Sequence, residues 1–221
     1  MRRIATALVG LTIAVLVVGL TLVPLTQPFF TRALAERYSL ASAAGLSQTR
    51  MLDVAEQVRA FVAEPRDSML PAEVDGRTGF DASAVSHLVD VRNVITAAFI
   101  FTWGLAIALA VWVWAKVGSG QLDRVVSALR AGAVWCAVLV VLAALAGLLN
   151  FDALFSAFHG LFFAEGTWTF AADSLLIQTF PEQFWATAAA VWAAFVLLGA
   201  AALALLGWTL AKPKGEPPLP S

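Results

Sequence analysis

The sequence predicts an all-α membrane protein with four transmembrane helices and an extracytoplasmic, mainly helical cap. Hydrophobic residues make up 60% of the 221 residues, far above the average of soluble domains. Four uncharged runs each approach or exceed the roughly 20 residues that cross about 30 Å of hydrocarbon. We therefore assign the transmembrane helices to residues 4–23, 94–115, 131–149 and 184–211.

The distribution of basic residues predicts that both termini are cytoplasmic. Basic residues precede the first run, lie between the second and third, and follow the fourth. The inner side then carries seven basic and two acidic residues, a net charge of +5. The outer side carries seven basic and thirteen acidic residues, a net charge of −6. The connecting segments are two extracytoplasmic loops (24–93 and 150–183), a cytoplasmic loop (116–130) and a disordered cytoplasmic tail (212–221).

Several classes of protein are excluded by composition. The first uncharged run is longer than the core of a signal peptide, so we interpret it as a retained helix. A single cysteine, Cys136, rules out a disulfide framework and a CxxC redox pair. The basic residues are dispersed and the outer side is acidic, which argues against nucleic acid as a partner. The transmembrane runs contain no ionisable side chain apart from Cys136, so they offer no proton pathway or voltage sensor.

The first external loop contains a pattern typical of an amphipathic helix over residues 46–64. Apolar side chains recur there with a period near 3.6, and Ser47 is a good N-cap. The polar stretch that follows has turn chemistry at Asp75 and Gly76, and it shows no strand pattern. We expect the helix to lie across the outer end of the bundle.

The first of only two histidines lies where the chain returns to the membrane. A helix beginning near residues 81–83 runs without interruption into the second transmembrane run and carries His87 and Asp90 as i and i+3 neighbours. His87 lies seven residues, about 10 Å, before the uncharged part begins. A carboxylate at this spacing can orient an imidazole and stabilise its protonated form. The alternative is an exposed surface pair of little energetic value.

The second histidine lies in the aromatic-rich loop that follows the third transmembrane run. Phenylalanine and leucine recur there at three- and four-residue steps, so one face of a helix is apolar while Asp152, Ser156 and His159 share another flank. Taken alone, the spacing of His159 favours a packed, hydrogen-bonded aromatic near the lipid headgroups over a functional residue. The predicted topology favours a functional role for His159, because it places His87 and His159 on the same side of the membrane at a similar depth.

Two classes of function fit this pair of histidines. One is acid–base catalysis at the outer membrane surface. The other is a non-enzymatic membrane protein that binds a metal or a lipid head group through His87 and His159, with Asp90 and Asp173 as further ligands. In either case the two imidazoles must share a cavity, and a separation above about 10 Å would exclude one of them from the site.

The residues around both histidines resemble a known family. SHLVDVR at residues 86–92 and FHGLFFAEGTWTFAADSLLIQTFPEQFW at residues 158–185 are similar to the two signature motifs of the bacterial lipoprotein intramolecular transacylases, the Lit family. The resemblance extends to the four-helix plan and the large first external loop. One position departs from it, since family members often have an acidic residue three before the first histidine, where this chain has Ala84.

The resemblance implies a reaction and a site. A member of this family moves the sn-2 acyl chain of a diacylglyceryl-cysteine to the α-amino group of that same cysteine, giving a lyso-form lipoprotein. The implied partners are a diacylated lipoprotein and membrane lipid, in the bacterial cytoplasmic membrane, and no cofactor or metal is required. His87 and His159 are then the catalytic acid and base, with four supporting residues: Asp90 orients His87, Arg92 meets the oxyanion or a glyceryl oxygen, Asp173 orients His159, and Trp168 walls the acyl chain.

Overall fold

The computed structural model of the protein describes residues 2–64 and 69–211, so the predicted tail at 212–221 lies outside the described residues. The helices are α1 (Arg2–Leu20), a 3-10 turn (Val23–Thr26), α2 (Pro28–Tyr38), α3 (Gln48–Ala63), α4 (Ala82–Gly118), α5 (Leu122–Leu149), α6 (Phe151–Phe162), α7 (Leu175–Thr179) and α8 (Glu182–Thr209). A hairpin of two short strands, β1 (Glu73–Val74) and β2 (Arg77–Thr78), separates α3 from α4.

Within residues 2–64 and 69–211, four helices are long and apolar enough to cross a membrane: α1 with its 3-10 extension, α4, α5 and α8. This confirms the predicted all-α membrane fold with four transmembrane helices. Helix α5 packs against both α1 and α8, and α4 packs on α1 and, in the cap, on α3. Small side chains permit the α1–α5 approach, since a Cβ added at Gly10 would lie 2.5 Å from the Cβ of Ala131. Glycine at this position therefore lets the two backbones come close.

Helix α4 is much longer than a membrane is thick. Its 37 residues extend over roughly 55 Å at 1.5 Å per residue, against about 30 Å of hydrocarbon. It begins at Asp81, whose carboxylate accepts a hydrogen bond of 2.8 Å from the Ala84 backbone N–H, as the predicted start near residue 81 requires. The uncharged part begins only at Val94, so the first turns of α4 project beyond the bundle and belong to the cap.

The cap is the group of elements at this end of the bundle. It has one apolar core, to which α2, α3, the hairpin, α7 and the first turns of α4 and α8 contribute buried side chains such as Met51, Val74 and Leu175. Helix α3 occupies the region predicted as helix 46–64, and its N-cap Ser47 accepts from the Arg50 N–H at 3.1 Å. The burial of its apolar face gives the stabilisation that its amphipathic pattern predicts.

The hairpin is a difference from the sequence prediction. The expected turn is present, with φ of +50° at Asp75 and +80° at Gly76, values that suit the tight turn of a hairpin. The strands that it joins are only two residues long and pair Glu73 with Thr78 and Val74 with Arg77. Such short strands show no alternation of apolar and polar residues, which is why no strand pattern appears in the sequence.

Two guanidinium groups connect the cap elements, that of Arg59, which is buried, and that of Arg77, which is partly buried. The side chain of Arg59 donates to the Thr26 carbonyl, which ties α3 to the end of the 3-10 turn, and it pairs with the carboxylates of Glu56 and Glu64. Arg77 on β2 donates to the Ala44 carbonyl at 2.7 Å, to Gln178 Oε1 at 2.8 Å and to the Asp173 carbonyl at 3.1 Å. Arg77 therefore holds the hairpin against the segment that leads into α7.

Helix α6 differs from the cap helices because none of its residues is buried. It starts at Asn150, whose side-chain oxygen accepts from the Ala153 N–H at 2.9 Å. Phe158 is 53% and Leu161 78% exposed, so an apolar face is left uncovered. An apolar helix with an uncovered face is suited to the boundary between headgroups and acyl chains. The opposite side of α6 carries His159.

Candidate active site

His87 lies just after the first turn of α4, where the helix is embedded in the cap. Ala84, one turn before it, and its neighbour Leu88 both belong to the cap core. The imidazole is only 7% exposed. Its ring contacts the ring of Phe163 at 4.9 Å, edge to face, and that of Phe170 at 5.5 Å. The Nδ1 atom is buried and has no hydrogen-bond partner among the described residues.

His159 lies on α6 and is half-buried. Its Nδ1 lies 2.8 Å from the carbonyl oxygen of Phe155, one turn earlier on the same helix. A carbonyl oxygen only accepts hydrogen bonds, so Nδ1 carries the proton. In the neutral imidazole the lone pair is therefore on Nε2. The backbone bond thus selects the tautomer whose free nitrogen can act as a base.

The structure brings the two histidines together. Their ring centroids are 6.2 Å apart and the ring planes differ by 27°, a stacked arrangement. The separation lies well within the limit of about 10 Å set for a shared site. Residues 72 positions apart in the sequence, on α4 and α6, thus form one pair.

Aromatic side chains enclose this pair. The Phe155 ring stacks on His159 at 4.0 Å, the Trp168 ring lies 4.9 Å from it, and Phe163 contacts both imidazoles. The indole Nε1 of Trp168 is buried and has no hydrogen-bond partner within the described part of the chain. A buried polar group left unpaired typically costs about 1–3 kcal/mol. The site therefore holds two such groups, His87 Nδ1 and Trp168 Nε1, in an otherwise apolar enclosure.

The apolar enclosure keeps both imidazoles neutral. Burial lowers the pKa of His87 below its ordinary value of 6.5, and positive charge on His159 lowers it further, while Asp90 opposes the shift. Burial also lowers the pKa of His159, against which the bond to the Phe155 carbonyl acts weakly. Neutral imidazole is the form that accepts a proton, so the pair is ready for base catalysis at pH 7.

Two of the predicted supporting residues lie on α4 away from the imidazoles. Asp90 is exposed, and no hydrogen bond joins it to His87 in the described structure. It acts on His87 through its charge alone. The Nε of Arg92 donates to the Phe61 carbonyl at 2.7 Å, and its guanidinium lies 4.7 Å from the Phe61 ring. Arg92 thus packs on the end of α3 instead of contacting either histidine.

Asp173 is also placed differently from the prediction. It is exposed, its backbone carbonyl accepts from Arg77, and the residue borders a cavity of about 220 Å³ together with Ala84 and Phe170. The group that holds His159 is the Phe155 carbonyl instead. Sequence reasoning missed this carbonyl because every helical residue has one four positions earlier, so the sequence carries no signal for it. It also missed Phe163, although that residue lies within the second motif.

Comparison with known proteins identifies the chain. The sequence model of the family described as lipoprotein intramolecular transacylase Lit matches residues 5–185. The chain belongs to this family. It is an integral membrane acyltransferase whose substrates are lipoproteins. A search of curated protein sequences finds no significant match.

Solved structures of Lit from Bacillus cereus share the fold of this Lit chain. One has a TM-score of 0.73 at 19% identity and covers 95% of both chains. Another, of a variant in which one histidine is replaced by arginine, has a TM-score of 0.66 at 17% identity, covering 95% of this chain and 92% of that one. A third carries alanine in place of a histidine and has a TM-score of 0.66 at 17% identity, covering 95% and 93%.

The two motifs of this Lit chain supply the site from opposite sides. Residues 86–92 form the part of α4 that carries His87, and residues 158–185 carry His159, the aromatic wall and α7. Ala84 is 5% exposed and borders the cavity near Asp173. In this Lit chain, the place one turn before His87 is therefore occupied by a small apolar side chain.

Proposed function

We propose that this transacylase moves the sn-2 acyl chain of an N-terminal diacylglyceryl-cysteine to the α-amino group of the same cysteine. The product is an N-acyl, S-monoacylglyceryl lyso-form lipoprotein. The observation that carries the proposal is the stacked pair of neutral histidines, 6.2 Å apart in an aromatic enclosure. Such a pair can exchange a proton with both the amine and the ester, which are the two reacting groups.

His159 is the base in this proposal. Its Nδ1 is engaged by the Phe155 carbonyl, which leaves Nε2 to take the proton of the attacking amine. The backbone bond also supports the imidazolium that forms, as a second hydrogen-bond acceptor does in other catalytic histidines. The α-amino group has an ordinary pKa of about 7.7–8.0, so part of it is already neutral at pH 7.

His87 completes the pair as the group that returns the proton to the glyceryl oxygen. Positive charge on His159 lowers the pKa of His87, so the two imidazoles do not both carry a proton in excess. One proton therefore passes from the amine to the pair and from the pair to the leaving oxygen. This division assigns the base to His159 and the acid to His87.

The reaction needs no nucleophilic side chain because ester and amine belong to one molecule. Holding them in a near-attack geometry can contribute several kcal/mol. Cys136 is 0% exposed and packs with Ala14 and Val196 between α1, α5 and α8, so its thiol has no access to the histidine pair. Ser156 lies on α6 but is exposed. Neither residue has a place in the proposed mechanism.

We assign lipid contacts to two of the supporting residues. Trp168, whose ring lies 4.9 Å from that of His159, walls the acyl chain next to the reacting carbonyl. Arg92 stands at the cap end of a groove of about 700 Å³ that continues along the apolar face of α4 past Phe99 and Trp103 to Ile107. An acyl chain in this groove would bring its glyceryl oxygens to the guanidinium. Asp90 supports the site through its charge near His87, and Asp173 supports it through its backbone carbonyl, which holds the loop to Arg77.

The membrane orientation supports an extracytoplasmic site. Both histidines lie at the end of the bundle opposite the short, basic link between α4 and α5. Short loops rich in Lys and Arg are retained in the cytoplasm. We therefore place the histidine pair at the outer face of the bacterial cytoplasmic membrane, with both termini inside.

Metal binding by the same histidines is the alternative function. A zinc site needs three or four ligands. Within the described residues no His, Cys, Asp or Glu side chains form a group of three that could hold a metal ion. The geometry of the pair, with one nitrogen engaged by a backbone carbonyl, favours proton transfer.

The test is mass spectrometry of lipoprotein N-termini in bacterial cells that carry diacylated lipoproteins and lack other N-acylating enzymes. Expression of the wild-type chain should convert the diacyl form into the lyso form. His87→Ala and His159→Ala should abolish the conversion. Ser156→Ala is the matched control on the exposed flank of α6 and should leave it intact. Equal conversion by either histidine variant would contradict the assignment.

A further inference from the structure

The loop between α6 and α7 places a tryptophan against the histidine pair. A turn closes at residues 164–167, where the Thr167 N–H donates to the Ala164 carbonyl at 3.2 Å and Gly166 adopts a φ of +81°. The chain leaves this turn at Trp168, whose ring lies 4.9 Å from the His159 ring. The local backbone thus returns the indole to the site.

The hydrogen bonding of this indole differs from that of three other tryptophans in the described part of the chain. The Nε1–H groups of Trp135, Trp185 and Trp192 donate to the backbone carbonyls of Ala7, Phe180 and Val18, at 3.1, 3.0 and 3.4 Å. Trp168 Nε1 is buried but has no acceptor among the described residues. An indole N–H is a donor only, so burying it without an acceptor is unfavourable.

The direction of this N–H is constrained by ring geometry. The planes of Trp168 and His159 differ by only 33°, and an indole N–H lies in the plane of its own ring. The N–H therefore extends alongside His159 and not into its face. A substrate oxygen that enters the site can accept a hydrogen bond from this N–H.

We propose that the Trp168 N–H binds the carbonyl oxygen of the acyl group in transfer and stabilises the oxyanion of the tetrahedral intermediate. Trp168 is then a catalytic residue and not only a wall for the acyl chain. This inference rests on the proposed function. The role falls to Trp168 because Arg92 packs on the end of α3. A donor that is already in place before the reaction is the kind that favours an oxyanion over the neutral ester.

The transfer proceeds through a tetrahedral intermediate. The amine lone pair forms the C–N bond, the carbonyl π pair moves to the oxygen held by Trp168, and His159 Nε2 takes the amine proton. The oxyanion then re-forms the carbonyl, the bond to the sn-2 glyceryl oxygen breaks, and that oxygen receives the proton from the histidine pair. No oxidant, reductant or further reactant is needed.

The experiment replaces Trp168 with 3-benzothienylalanine, which preserves the shape of indole but has sulfur in place of N–H. The same replacement at Trp192, whose N–H bonds to Val18 in the bundle, is the matched control. Rates are measured with a synthetic diacylated lipopeptide in detergent. We expect kcat to fall about 10²–10³-fold at Trp168 with little change in KM, the effect of losing one oxyanion donor. At Trp192 we expect a change of less than about threefold.

Two results would overturn the inference. A benzothienyl variant at Trp168 with kcat within threefold of the wild type would restrict this side chain to a wall, while the transacylase function stands. A wild-type chain that forms no lyso-lipopeptide would overturn both the function and this role.

A second measurement reads the bond directly. In protein with ¹⁵N-labelled indoles, a phosphonate analogue of the tetrahedral intermediate should shift the Trp168 Nε1–H resonance to lower field and leave that of Trp192 in place. An unshifted Trp168 resonance with bound phosphonate would contradict the inference, because a purely apolar wall makes no such bond.

Discussion

His87 and His159 carry the same imidazole in two different environments. His87 is embedded in the cap core on α4, and its Nδ1 has no hydrogen-bond partner among the described residues. His159 lies on the exposed helix α6, and its Nδ1–H donates a hydrogen bond to the Phe155 carbonyl. Burial is the largest cause of the lowered pKa of both imidazoles, and positive charge on His159 lowers the pKa of His87 further, a repulsion that acts in both directions. The difference indicates how one chain assigns base and acid roles to two identical side chains.

The largest effect is expected when the base is removed. His159→Asn keeps an amide N–H near the position of Nδ1 to bond the Phe155 carbonyl, but it has no basic nitrogen. We expect transfer to slow by about 10²–10⁴-fold, the usual contribution of general acid–base catalysis. Single-turnover rates with a diacylated lipopeptide measure this, and unchanged thermal unfolding would show that α6 stays in place. A loss below tenfold would mean that His87 is the base.

Replacing each histidine by phenylalanine should change the unfolding midpoint differently at the two positions. His87→Phe replaces an unpaired buried polar group by an apolar ring among Phe163 and Phe170, so we expect transfer to fall about 100-fold while the unfolding midpoint rises by about 2–6 °C. His159→Phe loses the bond to Phe155 and should not raise the midpoint. Differential scanning fluorimetry in detergent checks this. Equal shifts for both variants would remove the distinction between the sites.

The pH dependence separates the roles further. The amine must be neutral to attack, so the rate should rise about sevenfold between pH 6.5 and 7.5, as the neutral fraction of an amine with a pKa of about 7.7–8.0 does. Protonation of the histidine base should add a second limb to the pH–rate profile, in which the rate falls more steeply with decreasing pH. Because the histidine pKa values are lowered, this histidine limb should appear only below pH 6.5. Residual activity of His87→Phe should keep this limb, and that of His159→Asn should lack it. If the midpoint of the histidine limb lay above pH 6.5, burial of the imidazoles in an apolar enclosure would be contradicted.

The smallest effect is expected for the carboxylates. Asp90 is exposed and acts on His87 only through charge, and exposed charge pairs contribute about 0.2–1 kcal/mol. Asp90→Asn should therefore change the rate by less than about fivefold, and Asp173→Asn should behave alike. A 100-fold loss in either variant would show that the carboxylate contacts an imidazole during turnover.

Much of this architecture follows from local patterns. The four transmembrane spans are uncharged runs, and the N-caps Ser47 and Asp81 and the turn at Asp75 follow from the chemistry of those residues. The two-residue strands could not be predicted, because they are too short to show a period. The contact between Arg92 and Phe61 could not be predicted either, because it depends on how α3 packs on α4.

By itself, the sequence determined the membrane fold, the family and the presence of both histidines at one end of the bundle. Hydrophobic runs and motif residues are properties of the chain that do not depend on packing. Only the tertiary structure decided that the imidazoles stack, that the Phe155 carbonyl and not Asp173 holds His159, and that the Trp168 N–H is left without an acceptor. These are distances between groups on separate elements, and they are set by how α4, α6 and the loop after α6 pack together.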